Sequence, residues 1–505
     1  MSFKRIILKN TAVGWVTVVI SMGTRFVTVP LILNGVGKNQ YALYALATSL
    51  VNYLYLFDSG ISGAVCRLLA PLNKAKNRPE LVKLVATSYA FLVSIVLVLT
   101  ALCVIFPKEL IFDFLNIPAA EYAIFKTVFY ISFLEFVVVF VSRVDIGILQ
   151  GKNQFSVMWF IESVVALVST LFIYVFYKLG NLTLVNVALI LSIGRALGAV
   201  GLFFASGFVR EKVLCFRHYS GEALKPILDI GFSATIVTMV GIMQSSLAPS
   251  IYSRYLSIEA VFFCSIATAL MLMASRFINT IFSSFTPYIS ELNPQKDHEG
   301  IKRLIVKGLS LASFSHGVAC LLSSLFLDTL VRIWLSDKVL KDSDFEVIYY
   351  FVNLLLISLY ISNAPKMMDI TFSSTGKHWK NTYLSVATTV AFCVSLVILA
   401  KLNFLYCYPV AMLLSGFVKT GGTFRLAQKV GYLTLSETLR LTLVNFVLPL
   451  GLVLVAVYRK LFFSDELTSV GVAALALGVF IVYYLKFPLN WLLVNLGDHL
   501  RKRRA

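Results

Sequence analysis

The chain has 505 residues, of which 58% are apolar and 14% charged, with a mean hydropathy of +0.84 and a formal net charge of +19. Soluble domains run nearer half apolar and a quarter charged, so this composition excludes a string of soluble domains, and no stretch has the make-up of a separate one. On a soluble protein such a charge would point to nucleic acid; here it fits basic loops facing anionic lipid, and no nucleic-acid partner is expected.

A bilayer span needs about 20 apolar residues. Such stretches recur at 11–33, 41–69, 84–107, 121–150, 155–178, 183–208, 226–252, 258–290, 304–327, 345–375, 381–400, 405–424, 436–458 and 468–495. The predicted fold is therefore an all-α membrane protein with about fourteen transmembrane helices. The opening MSFKRIILKN is basic but runs into a full-length span with no small-residue cleavage site, so no removed signal peptide is expected. The seven cysteines form no CxxC pair and fall mostly in apolar segments. They read as small buried hydrophobes rather than a disulfide frame or a zinc site.

Loop charges test this map. With the N-terminus inside, the inner segments carry 25 Lys and Arg and the outer segments 10, in alternation along the whole chain. An odd miscount of spans would invert every later loop and destroy that bias. Both termini are thus placed on the cytoplasmic side. The outer loops are short, the longest lying near 328–344, which leaves no room for a large outer domain.

The polar segment 209–225 divides six spans from six more. The predicted organisation is a six-helix lobe over 1–208, a cytoplasmic linker at 209–225, a second six-helix lobe over 226–430, and two extra helices with a basic tail over 431–505. A shift of 220 residues aligns Tyr41–Leu50 with Val261–Leu270 and matches Ala47, Thr48 and Leu50 with Ala267, Thr268 and Leu270. Two parallel halves in pseudo-twofold relation are a transporter plan, with the substrate site expected near the midplane between them.

Nine of the 44 basic residues fall inside spans. A cation at the bilayer centre costs about 2.5–3.5 kcal/mol even on the lenient insertion scale. Lys126, Lys419 and Lys486 lie near span ends, where long side chains snorkel to the surface. Arg25, Arg195 and Arg276 lie mid-span and form either buried ion pairs or a cationic cavity for an anionic substrate; Arg67 either lines an entrance or snorkels. The intramembrane acids Asp58, Glu135, Asp145, Glu162 and Asp369 are the candidates for ion coupling or for structural pairing. Lys366 and Asp369 stand three apart and can pair on one helix, whereas Arg143 and Asp145, two apart, point to different faces. Pro30, Pro249, Pro287 and Pro365 break spans, as is tolerated where a helix is buried in protein or lines a cavity.

No P-loop and no HExxH or other metal-ligand cluster is present, and His316 stands alone in its span. No cofactor, metal or catalytic set is expected.

The stretch Gly35–Ala70, GVGKNQYALYALATSLVNYLYLFDSGISGAVCRLLA, resembles the early region of Wzx-type polysaccharide flippases: a Gly-containing turn, a Tyr-rich second span, a hydrophobic-Asp-x-Gly element and a small-residue run ending in Arg. LQGKNQF at 149–155 and RFINTIFSSFTPYISEL at 276–292 are similar features. The resemblance places the chain in the multidrug/oligosaccharidyl-lipid/polysaccharide exporter superfamily. It implies flipping of undecaprenyl-pyrophosphate-linked oligosaccharide units from the cytoplasmic to the periplasmic leaflet of a bacterial inner membrane, as in O-antigen and lipopolysaccharide biosynthesis. It also implies a polysaccharide polymerase and a chain-length regulator as partners beside the membrane lipids. Related lipid II flippases use cavity arginines on their first, second and eighth spans, which implies that role for Arg25, Arg67 and Arg276.

The chemistry agrees, since arginine stays charged and its fork of donors matches phosphate oxygens. Asn52, Tyr53, Gln244, Ser245 and Asn279 are the candidate sugar contacts. The competing functions are a cation-coupled multidrug antiporter, which would want an acidic cavity, and a polytopic polymerase or ligase, which would present a larger outer loop.

Overall fold

The computed structural model describes residues 3–58, 60–105, 114–283, 298–335, 340–374, 378–462 and 466–486. Among these there is helix and no strand. That follows from the composition, because in hydrocarbon every backbone N–H and C=O must be satisfied within the segment. Ten helical stretches are long and apolar enough to cross a bilayer. Helix also makes up most of the described residues of the remaining predicted spans, 41–69, 226–252, 405–424 and 468–495.

Span one is α1 (Phe3–Val36) and span two is α2 (Lys38–Leu54) with α3 (Ile61–Lys74). Span three is α4 (Arg78–Ile105) and span four is α5 (Ala119–Val141) with α6 (Arg143–Gly151). Spans five and six are α7 (Phe155–Lys178) and α8 (Leu184–Ala205). A short α9 (Val209–Val213) leads to α10 (Gly221–Tyr255) and α11 (Ile258–Ser283), the seventh and eighth spans. Then follow α12 (His298–Leu335), α13 (Asp342–Asn363) with α14 (Lys366–Ser374), α15 (His378–Lys401) and α16 (Cys407–Val430). The last two spans are α17 (Leu435–Thr442) with α18 (Leu448–Phe462), and α19 (Glu466–Lys486).

The breaks have local causes. Span two passes through a 3-10 turn at Tyr55–Asp58, and Gly60 then takes a left-handed φ of 59° ahead of α3, a conformation glycine adopts without a Cβ penalty. Span ten stops before Pro365, which offers no N–H and clashes with the preceding turn. Span thirteen carries a π turn over Leu443–Val447.

The helix order repeats. α2 and α11 start at Lys38 and Ile258, 220 residues apart. The starts of α5 and α13 (Ala119, Asp342), of α6 and α14 (Arg143, Lys366) and of α8 and α16 (Leu184, Cys407) are each 223 apart. Both broken fourth spans thus resume on a basic residue.

The chain forms two compact units, Met1–Ser265 and Ile266–Ala505. This division falls inside α11, beyond the 209–225 segment, because α10 packs on α2, α3 and α4 of the first unit. Small residues set the close approaches there. Gly147 and Gly151 of α6 form a GxxxG face against α3, where a Cβ on Gly147 would sit 2.6 Å from the Ser62 carbonyl oxygen. In the second unit α19 packs on α12 through Phe480 and Tyr484 against Phe314, and Tyr360 donates to the Asn445 carbonyl at 2.7 Å.

Candidate functional site

Within the first unit a cavity of about 370 Å³ opens among spans two, four, six and seven. The helical repeat explains which side chains reach it. On span two, Thr48, Val51, Asn52 and Tyr55 recur at three- and four-residue steps and share one face. On α5, Ser132, Glu135 and Val139 do the same, while Phe136 and Phe140 pack together away from it. Arg143, the first residue of α6, lines the cavity, as do Ile242 and Ser246 of α10.

Arg195 comes from α8. Thr183 caps that helix, accepting from the Asn186 N–H at 3.2 Å. Gly194 and Gly198 bracket Arg195 and seat α8 on α7: a Cβ on Gly194 would lie 2.2 Å from the Ser169 hydroxyl, and one on Gly198 2.9 Å from Val165. The small residues bring the backbones together and leave the arginine to face the opening.

The described lining carries three charges, Glu135, Arg143 and Arg195. Arg195 Nη1 donates to Glu135 Oε1 at 2.7 Å and Nη2 to the Tyr44 hydroxyl at 3.3 Å. Ser192 donates to the other carboxylate oxygen of Glu135 at 2.8 Å. Glu135 is 7% exposed and Arg195 45%, so the acid lies behind the arginine. The Arg143 guanidinium stands 5.1 Å from the Tyr55 ring centroid, a cation–π distance, and Tyr55 is braced edge-on by Phe136 at 5.0 Å. Among the described lining residues two arginines thus stand against one acid, which Arg195 holds.

Asp145 turns away from this cavity, as its two-residue offset from Arg143 requires. It is fully buried with Lys212, 2.6 Å away, and accepts from the hydroxyls of Ser206 at 2.5 Å and of Tyr89. Lys152 closes the cluster by donating to the Ser206 carbonyl at 2.7 Å. Of the two roles open to Asp145, ion coupling or structural pairing, the geometry has the form of the second. Lys212, in the segment 209–225 that reads from the sequence as a cytoplasmic linker, is enclosed by protein.

The other sequence candidates fall in several places. Arg25 of α1 is exposed and within electrostatic reach of Tyr41 and Tyr44. Tyr53 is not among the lining residues; its hydroxyl donates to the Ser246 carbonyl at 2.9 Å and lies 3.2 Å from the Ser250 hydroxyl, from which it can accept, which ties span two to span seven. Gln244 is half-buried on α10, outside the lining, and Glu162 is exposed on α7. Arg67 is exposed on α3. Arg276 belongs to the second unit. The side chains of Asp58, Ser245 and Asn279 lie outside the described residues, as do Pro287 and the end of the last span, 487–495.

The second unit carries its own charged group. Asp369 pairs with Lys419 at 3.3 Å, so Lys419 is held by an acid rather than snorkelling. Lys366 is within electrostatic reach of both. His316 is buried, its Nδ1 against the Ala312 carbonyl at 2.8 Å and its Nε2 beside Asn363. In both units, then, a cation on the sixth span of the repeat meets an acid on the fourth.

Arg143, Tyr55, Thr48 and Ser132 were not among the sequence candidates for the site. Thr48 and Tyr55 carried a signal, standing four before and three after Asn52 on a helix. Arg143 carried only the cost of an arginine inside a span, because its direction is set by the break at Ser142.

A family model described as polysaccharide biosynthesis protein matches residues 7–293, more than half of the chain. The chain belongs to this polysaccharide biosynthesis protein family. A Shigella flexneri protein named "Putative O-antigen transporter" is 22% identical over 340 residues, covering 67% of this chain and 77% of that one. Among solved structures, the lipid II flippase MurJ in an inward closed conformation has a TM-score of 0.71 at 13% identity, covering 95% of this chain and 99% of that one. An inward-facing multidrug resistance MATE transporter of the MOP superfamily has a TM-score of 0.69 at 14% identity, covering 81% and 94%. The polysaccharide biosynthesis family member described here is thus a multi-pass membrane protein with a fold shared with those MurJ and MATE structures, and the Wzx-type resemblance of 35–70 agrees with it.

Proposed function

We propose that this protein flips an undecaprenyl-pyrophosphate-linked oligosaccharide from the cytoplasmic to the periplasmic leaflet of the inner membrane by alternating access. The observation that carries this reading is the presence of Arg143 and Arg195 in one cavity within the spans, two cations beside one acid among its described lining residues. Cations are expensive in a bilayer and concentrate where a substrate uses them. Arginine suits a diphosphate because it stays charged and binds two oxygens at once. Thr48, Asn52, Ser132 and Tyr55 add neutral hydrogen-bonding groups for the first sugar. The cavity lies at the lower end of the ~300–1,000 Å³ of small-molecule sites, which suits a diphosphate with its first sugar, the lipid tail staying in the bilayer.

No covalent chemistry is needed, and a proton or sodium gradient or the membrane potential drives the cycle. A cation-coupled drug antiporter fits less well, because the one described acid of the lining is already neutralised. Deletion of the gene tests the proposal: complete lipid-linked repeat units should accumulate on the cytoplasmic leaflet. Accumulation on the periplasmic leaflet would instead indicate a polymerase or ligase.

A further inference from the structure

Arg195 and Glu135 are held asymmetrically. Glu135 is almost enclosed and has two partners from the same helix, Arg195 at one oxygen and Ser192 at the other. Arg195 is nearly half exposed on the cavity side and has two hydrogen bonds, to Glu135 and to Tyr44. A guanidinium offers five N–H donors, so it retains capacity toward the opening. The acid behind the cation already takes one of the guanidinium donors that a phosphoryl group could use.

We infer that Glu135 is an internal stand-in for the phosphoryl group: it holds Arg195 while the cavity is empty and is displaced from it when a diphosphate enters. This rests on the reading of the cavity as a diphosphate site. The exchange has a physical motive. A bare arginine in the spans is costly when no ligand is present, and a self-contained ion pair removes that cost. The same pair weakens net ligand binding, because a phosphate that docks on the remaining donors and then takes Nη1 exchanges the Glu135 contact for its own rather than adding one. Transport needs that compromise, since a site must bind well enough to load and weakly enough to release. When Arg195 swings away, Ser192 still donates to Glu135, and Tyr44 of span two stays within electrostatic reach of the carboxylate, in a lining that also holds Arg143. The acid is therefore a competitor of the substrate and a positioning residue, not a substrate contact.

The test separates affinity from turnover. The full-length protein in detergent is titrated with undecaprenyl diphosphate, and flipping of lipid-linked repeat units is followed in proteoliposomes. Glu135→Gln, which removes the competing charge and keeps the shape, should bind the probe about 10- to 100-fold more tightly and flip more slowly. Glu135→Asp, one methylene shorter, should tighten binding to an intermediate degree, and it serves if the Gln variant does not accumulate. Unchanged or weaker binding in a correctly folded Glu135→Gln or Glu135→Asp protein would overturn the inference while leaving the diphosphate site intact. No binding of the probe by the wild-type protein would remove the site reading itself, and the inference with it.

Discussion

Lys212 and Asp145 form an ion pair with Nζ and Oδ1 2.6 Å apart and neither side chain reaching solvent. Lys212 sits on α9, just beyond the sixth span, and also donates to the Phe203 carbonyl at 2.7 Å, with its ammonium 4.5 Å from the Phe203 ring centroid. Burial holds the Lys212 ammonium below the ordinary lysine value, and Asp145 offsets that only in part. The pair fastens the start of the 209–225 segment to spans three, four and six.

Breaking such a pair from one side leaves an unpaired buried charge, at a cost of about 3–5 kcal/mol. Lys212→Ala and Asp145→Ala should each lower thermal stability in detergent by an amount of that order. The double variant should be less damaged than the sum of the two. Additive losses in a double-mutant cycle would mean that the two charges do not act on each other.

Gly147 packs where a Cβ would meet the Ser62 carbonyl at 2.6 Å and Val65 at 2.9 Å. Backbone oxygen cannot move aside as a flexible side chain can. Gly147→Ala should cost about 1–3 kcal/mol by overpacking, and Gly147→Leu should fail to accumulate. Wild-type melting of the alanine variant would show that spans two and four stand further apart.

Tyr53 is expected to matter for stability and not for ligand affinity, since its hydroxyl is engaged by Ser246 and Ser250. Tyr53→Phe should cost about 1 kcal/mol, read as a lower melting temperature, with unchanged binding of undecaprenyl diphosphate. A selective loss of binding would place the hydroxyl among the substrate contacts.

Arg195 and Arg143 should not tolerate loss of charge. Arg195→Ala and Arg143→Ala should each reduce flipping at least about tenfold, as expected when a charged hydrogen bond worth ~1.5–3 kcal/mol is removed. Lysine at either position should recover part of the rate, because it keeps the charge but loses the planar fork. Equal activity of the lysine and arginine proteins would argue against bidentate phosphate binding.

Much of the architecture follows from one-dimensional signals. Span positions depend on local apolarity, the break near Gly60 on a residue free to take a left-handed φ, and the break near Pro365 on a residue with few backbone options. The opposite directions of Arg143 and Asp145 follow from helical geometry alone. The partners of the intramembrane charges do not. Glu135 meets Arg195 60 residues away, and Asp145 meets Lys212 in a segment that reads as an ordinary basic loop. Those choices are made by packing, here by glycine faces that draw α8 onto α7 and α6 onto α3. Composition marks such residues as costly but does not say which acid answers which base.

The central claim is that the Arg143–Arg195 cavity carries the diphosphate head group across the bilayer. Its most direct test is the leaflet location of lipid-linked repeat units in cells whose only copy is the Arg143→Ala, Arg195→Ala protein at wild-type level. The account predicts complete units trapped on the cytoplasmic leaflet, as in the deletion. Normal polysaccharide output, or units accumulating on the periplasmic leaflet, would contradict it.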